Sequence, residues 1–248
     1  MEDAHELRCA SVAAAERAYA LGYATVALET VCDAARAKDA APLSWDGDVT
    51  TPASVPRTRV LTRLTVRLEI GRVGIPQKAL NAFDIVAIIP ETDDAFRAAC
   101  ASPDVDLVSI DCGARLPYAV ARRDVQVALN RGAAFEVSYA HCLAQPRSLR
   151  HLIAAGGRLA ALTDGGRGLA VSSGAAEAWR VRSPGDIGAL AAMLGVRAHG
   201  GAVGASAARA VGHGAARRYN AGADESWLDG DEIEALVGAS SKKRRRRK

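Results

Sequence analysis

Carboxylates and imidazoles at the ends of short apolar runs are the first candidates for chemistry in this chain. Asp84, Asp106, Asp111 and Glu136 border or lie within such runs, and His141 follows one directly, beside Cys142. Side chains of these types converging at strand ends hold the metal ions of phosphate-ester hydrolases. Asp84, Asp111, Glu136 and His141 are the ligands such a site would use, with Ser172 and Ser173 on the phosphate. The pattern is thin for that chemistry. His5, His141, His151, His199 and His213 are scattered, with no H-x-H or H-x-x-x-H. A set rich in carboxylates suits Mg²⁺ rather than zinc. A metal-dependent phosphoesterase of barrel fold is therefore the second reading.

Arginine is the stronger signal. Arg63, Arg115, Arg122, Arg123, Arg131, Arg147, Arg150, Arg180 and Arg182 recur at strand ends, in loops and at helix starts. Guanidinium groups bind phosphate oxygens in pairs of hydrogen bonds and do not titrate. Arg63 lies inside the alternating string LTRLT, where a charge must pair or reach a wet face, and it is the first choice for an RNA contact. The segment VSSGA at 171–175 admits two readings. Ser172, Ser173 and Gly174 could cradle a phosphate with N–H groups and small hydroxyls, or form a plain turn at the end of a strand.

The elements that must position these residues alternate. Residues 6–20 place Leu7, Ala10, Ala14 and Ala18 at helical spacing and predict a helix ending at Gly22, followed by a strand at 23–28. Residues 39–57 form a loop rich in Pro, Asp, Ser and Thr, and 59–70 alternates as a second strand. Strands are predicted at 85–89, 105–110, 134–139 and 169–172, with helices at 93–100, 122–131, 148–162, 184–194 and 200–218. Short buried strands separated by helices imply a parallel sheet, either open and doubly wound or closed as a (β/α) barrel. The length of 248 residues suits the barrel, and no G-x-G-x-x-G opens a helix after the first strand.

Composition sets limits on this architecture. The chain is 49% hydrophobic with only 4% aromatic residues, so a core of Val, Leu and Ile must be closed up by Ala. The net charge of +4 comes from the tail Lys242, Lys243, Arg244, Arg245, Arg246, Arg247 and Lys248; without those seven residues the balance is −3. A basic isoelectric point is thus no argument for nucleic acid here, and local arginine clusters must carry it. The tail itself reads as a nuclear-import signal and is compatible with a nonspecific RNA-binding arm. Cys9, Cys32, Cys100, Cys112 and Cys142 are odd in number and widely spaced, which fits thiols in a reducing compartment. No apolar run is long enough for a membrane span, and Met1-Glu2-Asp3 does not begin a signal peptide. The expected division is a barrel over 1–218, an acidic linker over 219–241 with a short helix around 227–237, and the basic tail at 242–248.

One ordered set of strings is specific. LTRLT at 61–65, FDIVAIIP at 83–90, DVDLVSID at 104–111, RLPY at 115–118, RGAAFEVSY at 131–139, VSSGA at 171–175 and VRSPGDIGALAAMLG at 181–195 follow one another across roughly residues 20–196. In this order they resemble the barrel-type, thirty-kilodalton class of protein subunit of eukaryotic and archaeal ribonuclease P, which eukaryotes share with ribonuclease MRP. The resemblance implies a TIM-barrel-like fold, no cofactor and no catalysis by the protein itself. A partner RNA would remove the 5′ leader of precursor tRNA, and this chain would stabilise that RNA and dock other subunits, including a small α/β subunit. Precursor tRNA would be met indirectly, in the nucleus and its nucleolus. RNA contact is assigned to Arg63, Arg115, Arg122, Arg123, Arg131, Arg147, Arg150, Ser172, Ser173, Arg180 and Arg182. With few aromatic residues to stack bases, that contact would be to backbone and shape.

Two departures from the family pattern stand out. Its members begin with an apolar strand, whereas this chain is expected to enter its first helix near Ala4, leaving the first strand absent or incomplete; a truncated start is the favoured explanation. At 121–124 the string ARRD keeps a basic pair without the proline that usually follows it.

Overall fold

The computed structural model describes residues 3–43, 45, 59–197 and 204–221. Seven strands lie side by side in chain order, all parallel: β1 (His5–Cys9), β2 (Thr25–Asp33), β3 (Arg59–Leu68), β4 (Ile85–Pro90), β5 (Leu107–Ile110), β6 (Ala134–Ser138) and β7 (Leu169–Ser172). The last strand returns to the first. Cys9 bridges Ala175 in parallel, the Ala10 N–H donates to the Ala175 carbonyl at 3.0 Å, and the Gly174 N–H donates to the Arg8 carbonyl at 2.9 Å. The sheet is thereby a nearly closed barrel, the architecture expected from strands buried on both sides.

Helices between the strands cover the outside: α1 (Val12–Ala20), α2 (Gln77–Ala82), α3 (Asp93–Ala101), α4 (Arg122–Arg131), α5 (Ala140–Ala144), α6 (Leu149–Leu162) and α7 (Pro184–Met193). Local chemistry fixes several of their ends. Ser11 and Thr92 accept N–H bonds at the starts of α1 and α3, and Ser183 forms a reciprocal capping box with Asp186. Gly132 ends α4 with φ of 112°, in the left-handed region that a side chain resists. The main core lies between these helices and the outer face of the sheet, where Leu28, Leu64, Phe83, Ile88, Phe96 and Phe135 are all buried. Each such side chain contributes about 1.5–3 kcal/mol by leaving water.

A last helix, α8 (Ala205–Asn220), closes the end of the barrel where the strands begin. Its Ala207, Ala210 and Val211 pack with Leu7, Ala27, Leu61, Ile85, Ala87, Leu107, Ala134 and Ala170, an inner layer separate from the main core. Gly214 makes the approach possible, because a Cβ there would overlap the Asp84 carbonyl oxygen. Arg217 seals the junction by donating to the Leu80 carbonyl at 2.5 Å, the Phe83 carbonyl at 3.1 Å and Asp106 Oδ2 at 3.1 Å.

The N-terminal expectation is corrected. Residues 5–9 are a strand, with Leu7 and Cys9 buried, and the helix begins only at Val12. An Ala-rich period ran the helical pattern back through this segment. A long-range need overrode it, since β2 and β7 both lack a neighbour unless β1 stands between them. Strand β2 also outruns its expected end at Leu28 and continues through Glu29 to Asp33, paired to β3 throughout. The acidic stretch with its expected helix around 227–237, the basic tail and most of the loop at 39–57 lie outside the described residues. No helix of the described residues is long and apolar enough to cross a membrane.

Candidate nucleic-acid interface

Above the apolar inner layer the barrel is filled with its own charges. Strand alternation turns Arg63 and Thr65 of β3, Ser109 of β5, Glu136 of β6 and Ser172 of β7 into the interior. The Arg63 fork meets Glu136 with two bonds of 2.6 Å, and it also donates to the Leu7 carbonyl at 2.8 Å and Thr65 Oγ1 at 2.9 Å. Ser109 donates to the same carboxylate at 2.7 Å, and Ser172 donates to its other oxygen. Toward the mouth, Arg8 donates to Glu29 at 2.8 Å and to Ser138 at 3.2 Å.

Both partners of the central pair are fully buried, at 0% exposure, which decides their charge state. Burial alone would push the Glu136 carboxyl up, but Arg63 and the hydroxyl of Ser172 outweigh it and hold the group down at about 2. Burial likewise opposes the charge on Arg63, and the facing Glu136, Glu29 and Glu6 leave its pKa raised. Glu6 goes the other way. Burial pushes it up to about 8, with backbone N–H groups of Ser173 and Arg8 offsetting only part of the rise.

Three of the expected RNA contacts lie within this interior. Arg63 has no face turned to solvent, and its donors are taken up within the barrel, so it is a framework residue. Ser172 is committed to Glu136. The Ser173 N–H, which a bound phosphate would need, donates instead to both oxygens of Glu6 at 3.0 and 3.1 Å, while its hydroxyl donates to the Arg8 carbonyl at 3.1 Å. The anion cradle is filled by a carboxyl group of the chain itself.

The set expected for a metal hydrolase does not converge either. Asp84 stands before β4, held by the Thr62 N–H at 2.7 Å and by Arg218. Glu136 is neutralised in the middle, and Asp111 and His141 lie beyond the opposite strand ends. Among the described residues no group of three His, Cys, Asp or Glu side chains is placed to hold a metal ion. Cys142 lies 3.2 Å from His141 Nε2, yet burial pushes its thiol up to about 11, far from a reactive thiolate.

The remaining arginines divide into two groups. Arg131 spends its fork on the carbonyls of Ala99, Cys100 and Val105, at 3.0, 2.9 and 2.5 Å, and ties α4 to α3 and to the turn that leads into β5. Arg180 pairs with Glu177 at 3.0 Å and lies over Trp179; Arg182 donates to the Trp179 carbonyl at 3.1 Å. These three serve local structure. Arg115, Arg122, Arg123, Arg147 and Arg150 are exposed, and all fall in the β5–α4 and β6–α6 segments, neighbours on one sector of the barrel rim. Among the described residues only Arg122 of these five has an acidic partner, Asp164 at 3.2 Å. Ser148 of the second segment donates to the Gly113 carbonyl of the first at 3.1 Å, which holds the two together.

Two nitrogen-bearing side chains of this sector were not among the contacts expected from the sequence. His151 and Arg158 are seven residues apart on α6 and line one cleft with Arg115. Their spacing of two helical turns was visible, but nothing in the sequence said that α6 lies against the RLPY loop.

The fold and its charges define a class: a (β/α) barrel scaffold with a self-neutralised interior and a basic flank. The family model described as RNase P subunit p30 matches residues 9–219, and the chain belongs to that family. It is 30% identical over 196 residues to ribonuclease P protein subunit p30 of Mus musculus, covering 75% of this chain and 73% of that protein. It is 34% identical over 151 residues to protein GAMETOPHYTE DEFECTIVE 1 of Arabidopsis thaliana, covering 58% of this chain and 26% of the other, so it spans about a quarter of that protein's length. A chain in the cryo-EM structure of archaeal ribonuclease P with mature tRNA has the same fold, with a TM-score of 0.61 at 17% identity over 87% of this chain and 91% of that one.

Proposed function

We propose that this chain is a noncatalytic protein subunit of ribonuclease P, which supports an RNA that cuts the 5′ leader from precursor tRNA. The observation that carries this reading is the family match over residues 9–219, essentially the whole described barrel. The site chemistry agrees with it. Inside the barrel Arg63 and Glu136 satisfy one another, and at the end of β7 Glu6 occupies the N–H group that a phosphate would need. What the chain offers outward is the basic sector of Arg115, Arg122, Arg123, Arg147 and Arg150, suited to phosphate rather than to base edges.

The partners in this reading are the catalytic RNA, the related ribonuclease MRP RNA where one exists, and other protein subunits of the particle, including a small α/β subunit. Precursor tRNA is met through the assembly. The run Lys242 to Lys248 serves as the nuclear-import signal, and the working site is the nucleus and its nucleolus. The test is to purify the tagged full chain from its own cells and sequence the RNA that accompanies it. A single abundant noncoding RNA, or a pair, is the expected result. A fraction without a dominant structured RNA would refute the assignment.

A further inference from the structure

The β5–α4 loop (residues 111–121) and the flank of α6 enclose a cleft of about 370 Å³ outside the barrel interior, lined among others by Arg115, Leu116, Tyr118, Val120, His151 and Arg158. We propose that this cleft is a docking point for the phosphodiester backbone of RNA, with Arg115 and Arg158 as the charged contacts and His151 as a further donor. The proposal rests on the subunit reading above and deepens it, because it locates one contact and adds two residues that no sequence motif marked.

Geometry favours it in three ways. Arg158 is not a swinging surface charge: its Nε and Nη2 donate to the Val120 carbonyl at 3.2 and 2.8 Å, which fixes the guanidinium at the lip of the loop. A positioned guanidinium loses less freedom on meeting a phosphate than a free one. Arg115 is exposed with no ion pair or hydrogen bond among the described residues, so its fork is available. Among the described residues no carboxylate lines the cleft, and Tyr118 in its wall, stacked on Phe96 at 5.3 Å, has a buried hydroxyl with no hydrogen-bond partner.

The chemistry also selects the ligand. Besides Arg115, Arg158, the half-buried His151 and the buried Tyr118, the wall is Leu116, Val120 and alanines, with no exposed Phe, Tyr or Trp face on which a base could stack, so a backbone is a better occupant than a splayed nucleotide. Arg147 and Arg150 lie just before and at the start of α6, and Arg122 and Arg123 begin α4. They adjoin in the chain the two segments that form the cleft, and of the four only Arg122 has an acidic partner among the described residues, so further positive charge is at hand for a chain-like polyanion.

The experiment uses the full chain and the RNA recovered with it, transcribed in vitro, with affinities measured from low to moderate salt. Arg115→Ala, whose side chain supports nothing in the fold, is expected to lower the magnitude of the log K against log salt slope by about one, and Arg115→Ala with Arg158→Ala by about two. Affinity near physiological salt should fall about tenfold or more in the double variant. Arg17→Ala with Arg36→Ala removes the same charge from α1 and the turn after β2 and should leave the slope unchanged. Equal losses in the two double variants, or unaltered slopes in the cleft variants, would overturn the cleft assignment while the subunit reading stands. Wild-type protein that binds no RNA would sink both. Displacement of the RNA by poly-L-glutamate at matched charge would reassign the cleft to an acidic protein.

Discussion

At the scale of single residues, the account rests on which charges face inward. Arg63 and Glu136 are buried partners, and truncating one leaves the other uncompensated. Arg63→Met should cost about 3–5 kcal/mol in a urea melt, and adding Glu136→Gln should recover part of the loss. Arg115→Ala should stay within about 0.5 kcal/mol of wild type in the same melt. Equal stability of the two single variants would contradict the inside-outside division. Glu6 and Glu136 also give the fold opposite pH slopes. Glu136, held at about 2 against an ordinary 4.5, contributes stability that is present above pH 4.5 and lost as pH falls toward 2. Glu6, raised from 4.5 to about 8, contributes stability that is full below pH 4.5 and lost as pH rises through 8. Glu6→Gln should therefore gain on wild type between pH 5 and 8, by on the order of a few kcal/mol, whereas parallel stability curves would show that Glu6 is already ionised. None of this was legible in the string LTRLT. It demanded a partner or a wet face for Arg63, and choosing between them required β6 to bring Glu136, 73 residues away in the chain, into the barrel.

At the scale of elements, periodicity performed well wherever an element answers to its own neighbours. Helix α4 and strand β7 have the boundaries that their patterns predict, and α3, α6 and α7 differ only at their ends. The failures occur where a distant requirement dominates. Strand β1 was hidden under an alanine-rich helical period, and the second half of β2 was hidden by Glu29, Asp33 and their polar neighbours. In β2 the charge at Glu29 is compatible with a strand because Arg8 meets it inside the barrel. The role of α8 was equally invisible, since its sequence shows an Ala/Gly-rich helix and says nothing of the barrel floor it covers. Gly214→Val tests that role. The added side chain would collide with the Asp84 backbone, and the variant should lose about 1–3 kcal/mol or more and expose the apolar inner layer to a hydrophobic dye. Unchanged stability would mean that α8 does not sit tightly on the barrel.

At the scale of the whole molecule, the division of labour is between a closed, internally neutralised barrel and a basic rim. The mildly negative balance of the chain without its tail means that, in the proposed reading, attraction to RNA comes from one sector and from the tail rather than from a uniformly basic surface. The ordered motifs placed the chain in its family from sequence alone, since each records a strand, a turn or, at 181–195, a helix of the barrel. The contact surface could not be read the same way, because sequence does not show which loops become neighbours on the rim. The central claim is that the protein shapes an RNA and leaves bond breaking to it. The most direct measurement is cleavage of a precursor tRNA by the particle purified through this chain, before and after nuclease digestion of its RNA. The account predicts that 5′-leader removal is abolished once the RNA is destroyed and returns when that RNA is added back. Cleavage that survives complete digestion and depends on residues of this chain would contradict it.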